Sequence, residues 1–313
     1  MALSFYWHLS TDAPADRGRG EWAEGGRPWA PTRDGVSRRL QINHYDYLTQ
    51  VARAAELTGF DGIVVPDEPQ GEEPWIVTGA LLRETRRVGI VTTVAPGSAS
   101  GVYLGKMAAS VQRFSGDRQG WLIDSGEGPS AGDTLPVEDR AERTGELLTL
   151  LDGIWDDGPF DQEGRHFVVE KGGFGGLVKE RRRPPIWLRW SDKPGSELLR
   201  QADVLLIDTD APLGSVADVI ASLRKSHPAL KIAAHLPLLA RAEAEDVAVE
   251  HARRNLSHSA LVGTFDEVVA KLGELAQAGL DIAVLSAPDQ IQEVHIAGEQ
   301  VIGRFHASAA LAA

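Results

Sequence analysis

The sequence predicts an α/β protein folded as a single (β/α)8 TIM barrel, with a long loop after the first strand and a β-hairpin insertion. Three observations carry this. Short apolar runs of strand length alternate with amphipathic helical stretches through the whole chain, giving eight such strands. Several of the runs, Val204 to Ile207 among them, are apolar on both faces, which suits a parallel strand buried under helices. No shift of composition and no linker divides the 313 residues, so 1–313 reads as one barrel domain. An open dinucleotide-binding sheet would place G-x-G-x-x-G after its first strand, where this chain has STDAPAD.

The elements follow in order. Ser4 to Leu9 is the first strand, and residues 10–43 are a polar excursion rich in Gly, Pro and Arg with Trp22 and Trp29 embedded in it. A loop of that length is a lid or a solvated, disordered excursion, and two tryptophans among many arginines favour the lid. His44 to Thr58 has apolar residues at helical spacing and ends at Gly59, and Gly62 to Pro66 is the second strand. Pro74 to Thr85 is a helix with proline in its first turn, Val88 to Val94 a strand, Val102 to Phe114 a helix and Gly120 to Ser125 the fourth strand. Val137 to Trp155 is a long helix, and residues 158–170 alternate as an exposed hairpin.

Pro185 to Asp210 reads as strand, turn, helix and strand, the repeat unit of the fold. Then come a helix over Ser215 to Lys225, a strand over Lys231 to Ala240, and helices over Ala242 to Asn255 and Phe265 to Ala278. Ile282 to Ser286 is the eighth strand, and Gln290 to Phe305 the closing helix.

Composition narrows the function. Acidic residues outnumber basic ones, 45 to 32, for a formal net charge of -13, which argues against nucleic acid or an anionic membrane as the partner. With no cysteine there is no disulfide framework, thiolate nucleophile or thiolate metal site. The start lacks a secretory pattern and no apolar run has membrane-spanning length, so the reading is a soluble cytoplasmic protein with a small-molecule substrate.

A barrel of this kind carries its active site at the C-terminal ends of its strands, which nominates His8, Asp67, Glu68, Asp124, Ser125, Arg189, Asp208, Asp210, His235 and Asp289. In AAHLP, Ile232 and Ala234 face one way and Ala233 and His235 the other. An inward His235 is a general acid or base, or else a structural histidine, and His8 has the same standing. Arg189 pairs with a phosphate, a substrate anion or Asp192. Ser191 and Asp192 precede a helix start, where free N–H groups favour an anion, although the Asp192 carboxylate competes for them. Trp7, Trp75, Trp121, Trp187 and Trp190 fall near strand ends and helix starts, where they wall a ligand pocket or pack the core. The acids Asp67, Glu68, Glu72 and Glu73 have no histidine at ligand spacing, so they read as loop caps and not as a metal site.

FYWHL in the first strand, TGFDGIVVP, EEPW, VQRFSGDR, GPFDQEGRHF and LVGTFDEVVAKLGELAQAGLDIAVLSAP occur in this order over nearly the whole chain. This series resembles the bacterial luciferase-like flavin monooxygenases, with the alkanesulfonate monooxygenase branch as the nearest likeness. The resemblance implies a (β/α)8 barrel, commonly dimeric as a homodimer or with a related barrel, that binds reduced FMN supplied by a separate flavin reductase and uses O2 on a small substrate. Relatives of the same fold use coenzyme F420. Carried onto this chain, it implies cofactor binding by Ser125, Gly126, Arg189, Trp190 and Ser191, substrate contacts from Trp7, Trp75 and Asp124, and proton transfer by His235 and His8.

The chain also departs from that pattern. Trp190, Ser191 and Asp192 replace most of the family's phosphate loop, Leu122 stands where an Asn meets the flavin ring, and Gly71 where a Cys lies. The family's Arg and His fall at His235 and Pro237, its Tyr falls at Pro288, and its long mobile loop before Val262 is missing. These departures imply a substrate other than a simple alkanesulfonate, and the alternative they leave is a non-catalytic partner barrel or binding protein that has lost flavin. Arg17, Arg19, Arg27, Arg33, Arg38 and Arg39 make residues 10–43 the expected cover of the cavity or of a dimer partner.

Overall fold

The computed structural model describes residues 3–12, 44–123, 135–156, 158–174, 176, 178, 180–190, 196–254 and 256–311. Along the chain lie β1 (Ser4–His8), α1 (His44–Leu57), β2 (Gly62–Val65), α2 (Pro74–Glu84), β3 (Gly89–Val94), α3 (Gly101–Ser115), β4 (Gln119–Ile123) and α4 (Val137–Trp155). They are followed by β5 (Phe160–Glu163), β6 (Val168–Gly172), β7 (Ile186–Arg189), α5 (Ser196–Gln201), β8 (Val204–Ile207), α6 (Leu213–Ser226), β9 (Lys231–Arg241) and α7 (Ala244–His251). The last elements are β10 (Leu261–Thr264), α8 (Phe265–Ala278), β11 (Ile282–Ser286), α9 (Gln290–Ile296), a π-helical segment (Ala297–Ile302) and α10 (Gly303–Leu311).

Strands β1, β2, β3, β4, β7, β8, β9 and β11 pair in that circular order, all parallel, and β11 returns to β1. This is the closed eight-stranded barrel that the alternating pattern predicts. The antiparallel pair β5 and β6 stands apart as the hairpin. Lid residues 13–43 lie outside the described residues.

Local chemistry sets the helix ends. Glu73 caps α2 through the Ile76 N–H at 2.9 Å, with Pro74 in the first turn. Gly116 ends α3 in the left-handed conformation, at φ 69°. Thr264 and Glu267 form a capping box at the start of α8.

Strand alternation divides the core in two. Phe5, Trp7, Ile63, Ile90, Trp121, Leu188, Leu205, Ile232 and Leu285 face the helices. Val64, Val91, Leu122, Trp187, Leu206, Ala233 and Val284 fill the barrel, with Tyr6 packed on them. The two large rings, Tyr6 and Trp187, lie 5.2 Å apart and need room. Gly62 supplies it for Tyr6, because a Cβ there would lie 2.2 Å from the tyrosine ring. The floor beneath the mouth is therefore closed and apolar, and burial beside Asp61 pushes the Tyr6 hydroxyl up to about 12.

The structure corrects two element readings. LVGT before α8 is a ninth parallel strand, β10, paired with the far half of β9 so that Leu261 lies opposite Leu238. The closing helix is broken by the π-helical segment, where Gly298 packs so tightly on Thr58 that an added Cβ would lie 2.2 Å from the Thr58 Cβ. Among the described residues, no helix is long and apolar enough to cross a membrane.

Candidate active site

At the C-terminal ends of the barrel strands, five polar side chains meet: His8 from β1, Arg189 from β7, Asp208 just past β8, His235 from β9 and Ser286 from β11. Alternation brings them to one face. Ala233, two residues before His235, lies inside the barrel, as does Val284 before Ser286 and Leu206 before Asp208. The inward orientation expected for His235 is thus observed, with Ile232 and Ala234 on the helix side.

The five form one network. The His235 Nδ1 lies 3.0 Å from Asp208 Oδ1, and its Nε2 lies 2.9 Å from Ser286 Oγ. Arg189 pairs with the second oxygen of Asp208. The His8 ring stacks on the His235 ring, with centroids 4.5 Å apart and planes 18° from parallel.

Burial in the mouth, reinforced by the nearby Arg189 guanidinium, lowers His235 to about 4. Burial likewise holds His8 well below the ordinary histidine range, with His235 and Arg189 adding to the effect. Asp208 does not reverse this at His235, because Arg189 already meets its charge. Both rings are therefore neutral at physiological pH.

Neutrality fixes the direction of the hydrogen bonds. A carboxylate accepts and never donates, so His235 Nδ1 carries the proton and donates it to Asp208. Nε2 then accepts from the Ser286 hydroxyl. The chemical set is an ion pair at the rim, two uncharged imidazoles and one hydroxyl above an apolar floor.

The other expected residues divide clearly. Trp190 is half-buried and packs against the helix-side core beside the mouth. Asp124, Ser125, Gly126 and Ser191 lie outside the described residues. Trp7 does not wall the mouth. The alternation that turns His8 inward turns Trp7 out, where it is fully buried, packs edge-on to Phe60 at 5.7 Å and donates from Nε1 to Gln290 at 3.3 Å. Trp75 sits in the same helix layer, edge-on to Trp121 at 5.5 Å.

The acidic stretch acts as loop caps. Glu68 Oε2 accepts from the N–H groups of Thr11 at 2.6 Å and Asp12 at 3.0 Å, and so fixes the chain leaving β1. Among the described residues no acidic or histidine cluster could hold a metal. Asp210, nominated for the rim, instead holds the exposed His258 through its N–H at 2.8 Å.

Sequence reasoning missed Ser286 and gave Asp208 no specific role. The signal for Ser286 was present: Ile282, Val284 and Ser286 share one face of a strand, and a polar residue at the C-terminal end of an inward face belongs to the mouth.

Comparison with known proteins agrees with this architecture. The structure superposes on EDTA monooxygenase (EmoA) from Chelativorans sp. BNC1 with a TM-score of 0.78, covering 99% of this chain and 95% of that one at 15% identity. It matches a riboflavin lyase (RcaE), solved with modified FMN and riboflavin, at a TM-score of 0.73 and 16% identity over 99% and 92% of the two chains. An F420-dependent secondary alcohol dehydrogenase, solved with an F420-acetone adduct, gives a TM-score of 0.69 at 16% identity over 96% and 99%. At such identities the likeness establishes the fold alone. Residues 26–260 match the model described as luciferase-like monooxygenase, and since that is most of the chain, the protein belongs to the luciferase-like monooxygenase family.

Proposed function

We propose that this chain is a flavin-dependent monooxygenase that takes reduced FMN from a separate reductase and uses it with O2 on a small organic substrate other than a simple alkanesulfonate. The observation that carries the reading is the layer of His8, Arg189, Asp208, His235 and Ser286 at the mouth of a barrel of this family. The residues present suit a flavin in kind. The closed apolar floor supports a flat ring, the neutral imidazoles and the hydroxyl line the mouth without fixed charge, and the Arg189 guanidinium stands at the rim. Arg189 and Trp190, with Ser125, Gly126 and Ser191, would hold the cofactor, and Asp124 would meet the substrate.

A bound reduced flavin supplies the electrons that activate oxygen. The chain's own part is to orient the substrate and keep water from it; His235, the expected proton carrier, has both ring nitrogens engaged, with His8 stacked behind. A simple alkanesulfonate suits this mouth poorly, because the resemblance expects an arginine where neutral His235 stands, and the Asp208 carboxylate lies beside it. Residues 10–43 serve in this reading as the cover, and the functional unit is a dimer of barrels.

A second reading has its own observation. Leu122 lies inside the barrel floor, 2% exposed, where the family places an Asn against the flavin, and this favours a partner barrel without flavin. Anaerobic titration of the pure protein with reduced FMN, and separately with reduced F420, distinguishes the readings. Saturable binding of reduced FMN at micromolar concentrations, followed by incorporation of labelled O2 into a product, is the expected result. Binding of F420 alone would move the chain to the F420-dependent oxidoreductases, and binding of neither at high micromolar concentration would leave the partner-barrel reading standing.

A further inference from the structure

The hydrogen-bond direction in the mouth has a consequence for what the site can recognise. Asp208, His235 and Ser286 stand at the ends of three consecutive barrel strands, β8, β9 and β11. Their spacing of 3.0 and 2.9 Å resembles the Ser-His-Asp arrangement of serine nucleophiles. The electrostatics differ. A nucleophilic serine needs a carboxylate whose charge stabilises the imidazolium as it forms, whereas here Arg189 is already paired with Asp208, and the ring stacked on His235 is a second imidazole, His8. With His235 lowered to about 4, passing the Ser286 proton to it is uphill. The triad is therefore built to hold a proton in place.

We propose that Ser286 determines substrate specificity: its hydroxyl proton is committed to His235, its oxygen faces the ligand as an acceptor only, and the substrate therefore meets it with an O–H or N–H group. Asp208 and His235 are positioning residues that act through Ser286. A hydroxyl ordinarily serves as donor or acceptor by rotating. This one cannot turn its proton to a ligand without leaving His235 Nε2 unpaired in a half-buried site. Among the described residues Ser286 Oγ has no other hydrogen-bond partner, so its lone pairs are what the mouth presents at that point. A ligand bearing an ether or carbonyl oxygen there would set two acceptors against each other, which is the arrangement by which polar sites reject close analogues most strongly.

The inference rests on the barrel mouth being the substrate site, as the proposed function has it, and it is tested without flavin. In full-length protein labelled with 15N-histidine, the His235 signals, assigned by their loss in His235→Asn, should show a protonated Nδ1 and a bare Nε2. A protonated Nε2 overturns the proposal. Phenol and anisole, a small pair differing in the O–H, are then titrated against the same signals. Phenol should shift Nε2 and bind at least tenfold more tightly than anisole. Ser286→Ala should abolish that difference while leaving Nδ1 protonated, and Ser286→Thr, which keeps the hydroxyl, should restore it. Anisole binding as tightly as phenol, or neither ligand moving the His235 nitrogens, refutes the assignment. A protein that fails here yet binds reduced FMN loses only this inference, and one that passes here but binds no flavin loses only the monooxygenase reading.

Discussion

Acid should destabilise this protein through His235, and the size of the effect follows from the mouth. In the unfolded chain His235 takes up a proton as the pH falls through 6.5, and in the folded chain only near 4. Between those values the unfolded state carries more protons, so the stability due to a neutral His235 is full above 6.5 and is lost as the pH falls toward 4. The gap between 6.5 and about 4, at about 1.4 kcal/mol per pH unit, comes to roughly 3 kcal/mol, of which roughly 2 kcal/mol is lost between pH 7 and pH 4.5. His8, lowered by the same burial, adds with the same sign. Glu56 and Glu250 have carboxyls lowered from 4.5, so their contributions persist through most of this window and fade below it. The assay is urea unfolding at intervals from pH 7.5 to 4.5 for the wild type and for His235→Asn, which cannot titrate. The variant's profile should be flatter by roughly 2 kcal/mol. Parallel profiles, or an NMR titration of His235 near 6.5, would show that its ring is not buried as described and would remove the basis for the fixed hydrogen-bond direction.

Three further perturbations probe the frame around the site. Glu293, 1% exposed, holds Arg241 at 2.6 Å and Arg254 at 2.8 Å, and Glu250 meets both guanidinium groups at 2.6 Å, so Glu293→Ala leaves each with one carboxylate partner and should cost about 1–3 kcal/mol in chemical denaturation; a loss under about 0.5 kcal/mol would mean that Glu250 and water replace the carboxylate. Gly62→Ala drives a Cβ into the Tyr6 ring and should cost about 1–3 kcal/mol by overpacking, a loss that Tyr6→Leu in the same chain should partly relieve in thermal unfolding. Thr264→Ala removes the capping side chain of α8 and should cost about 1 kcal/mol, while Thr264→Ser should cost little; equal losses in the two would point to packing instead of the cap.

Most of the frame was legible because barrel strands and their covering helices are specified by local pattern. Val137–Trp155, Val204–Ile207, Phe265–Ala278 and Ile282–Ser286 have the bounds that periodicity gives them. What escaped is what depends on distant partners. Strand β10 is four residues long and exists by pairing with a β9 that extends beyond the barrel's other strands, so the run LVGT carries no strand signal of its own before the capping box that follows. The π-helical break at Ala297–Ile302 likewise has its cause elsewhere, in the contact between Gly298 and Thr58 across to the end of α1.

The site was legible one residue at a time but not as a network. Strand position nominated His8, Arg189, Asp208 and His235 separately, and alternation turned His235 inward, yet the same alternation applied to FYWHL would have turned Trp7 outward. Aromatic character drew attention to Trp7, although the geometry of a strand leaves no freedom for neighbours to share a face. Ser286 shows the opposite error, since serine is too common to attract notice until its inward register is worked out. The pairing of Arg189 with Asp208 matters most for the chemistry, and no spacing announces it, because the two residues stand at the ends of adjacent strands separated by a helix. That pair determines whether Asp208 can act on His235 as a charge. Once the guanidinium meets the carboxylate, His235 stays neutral, its tautomer is set by the one oxygen it faces, and Ser286 becomes an acceptor. The recognition chemistry of the mouth thus follows from an ion pair at its rim.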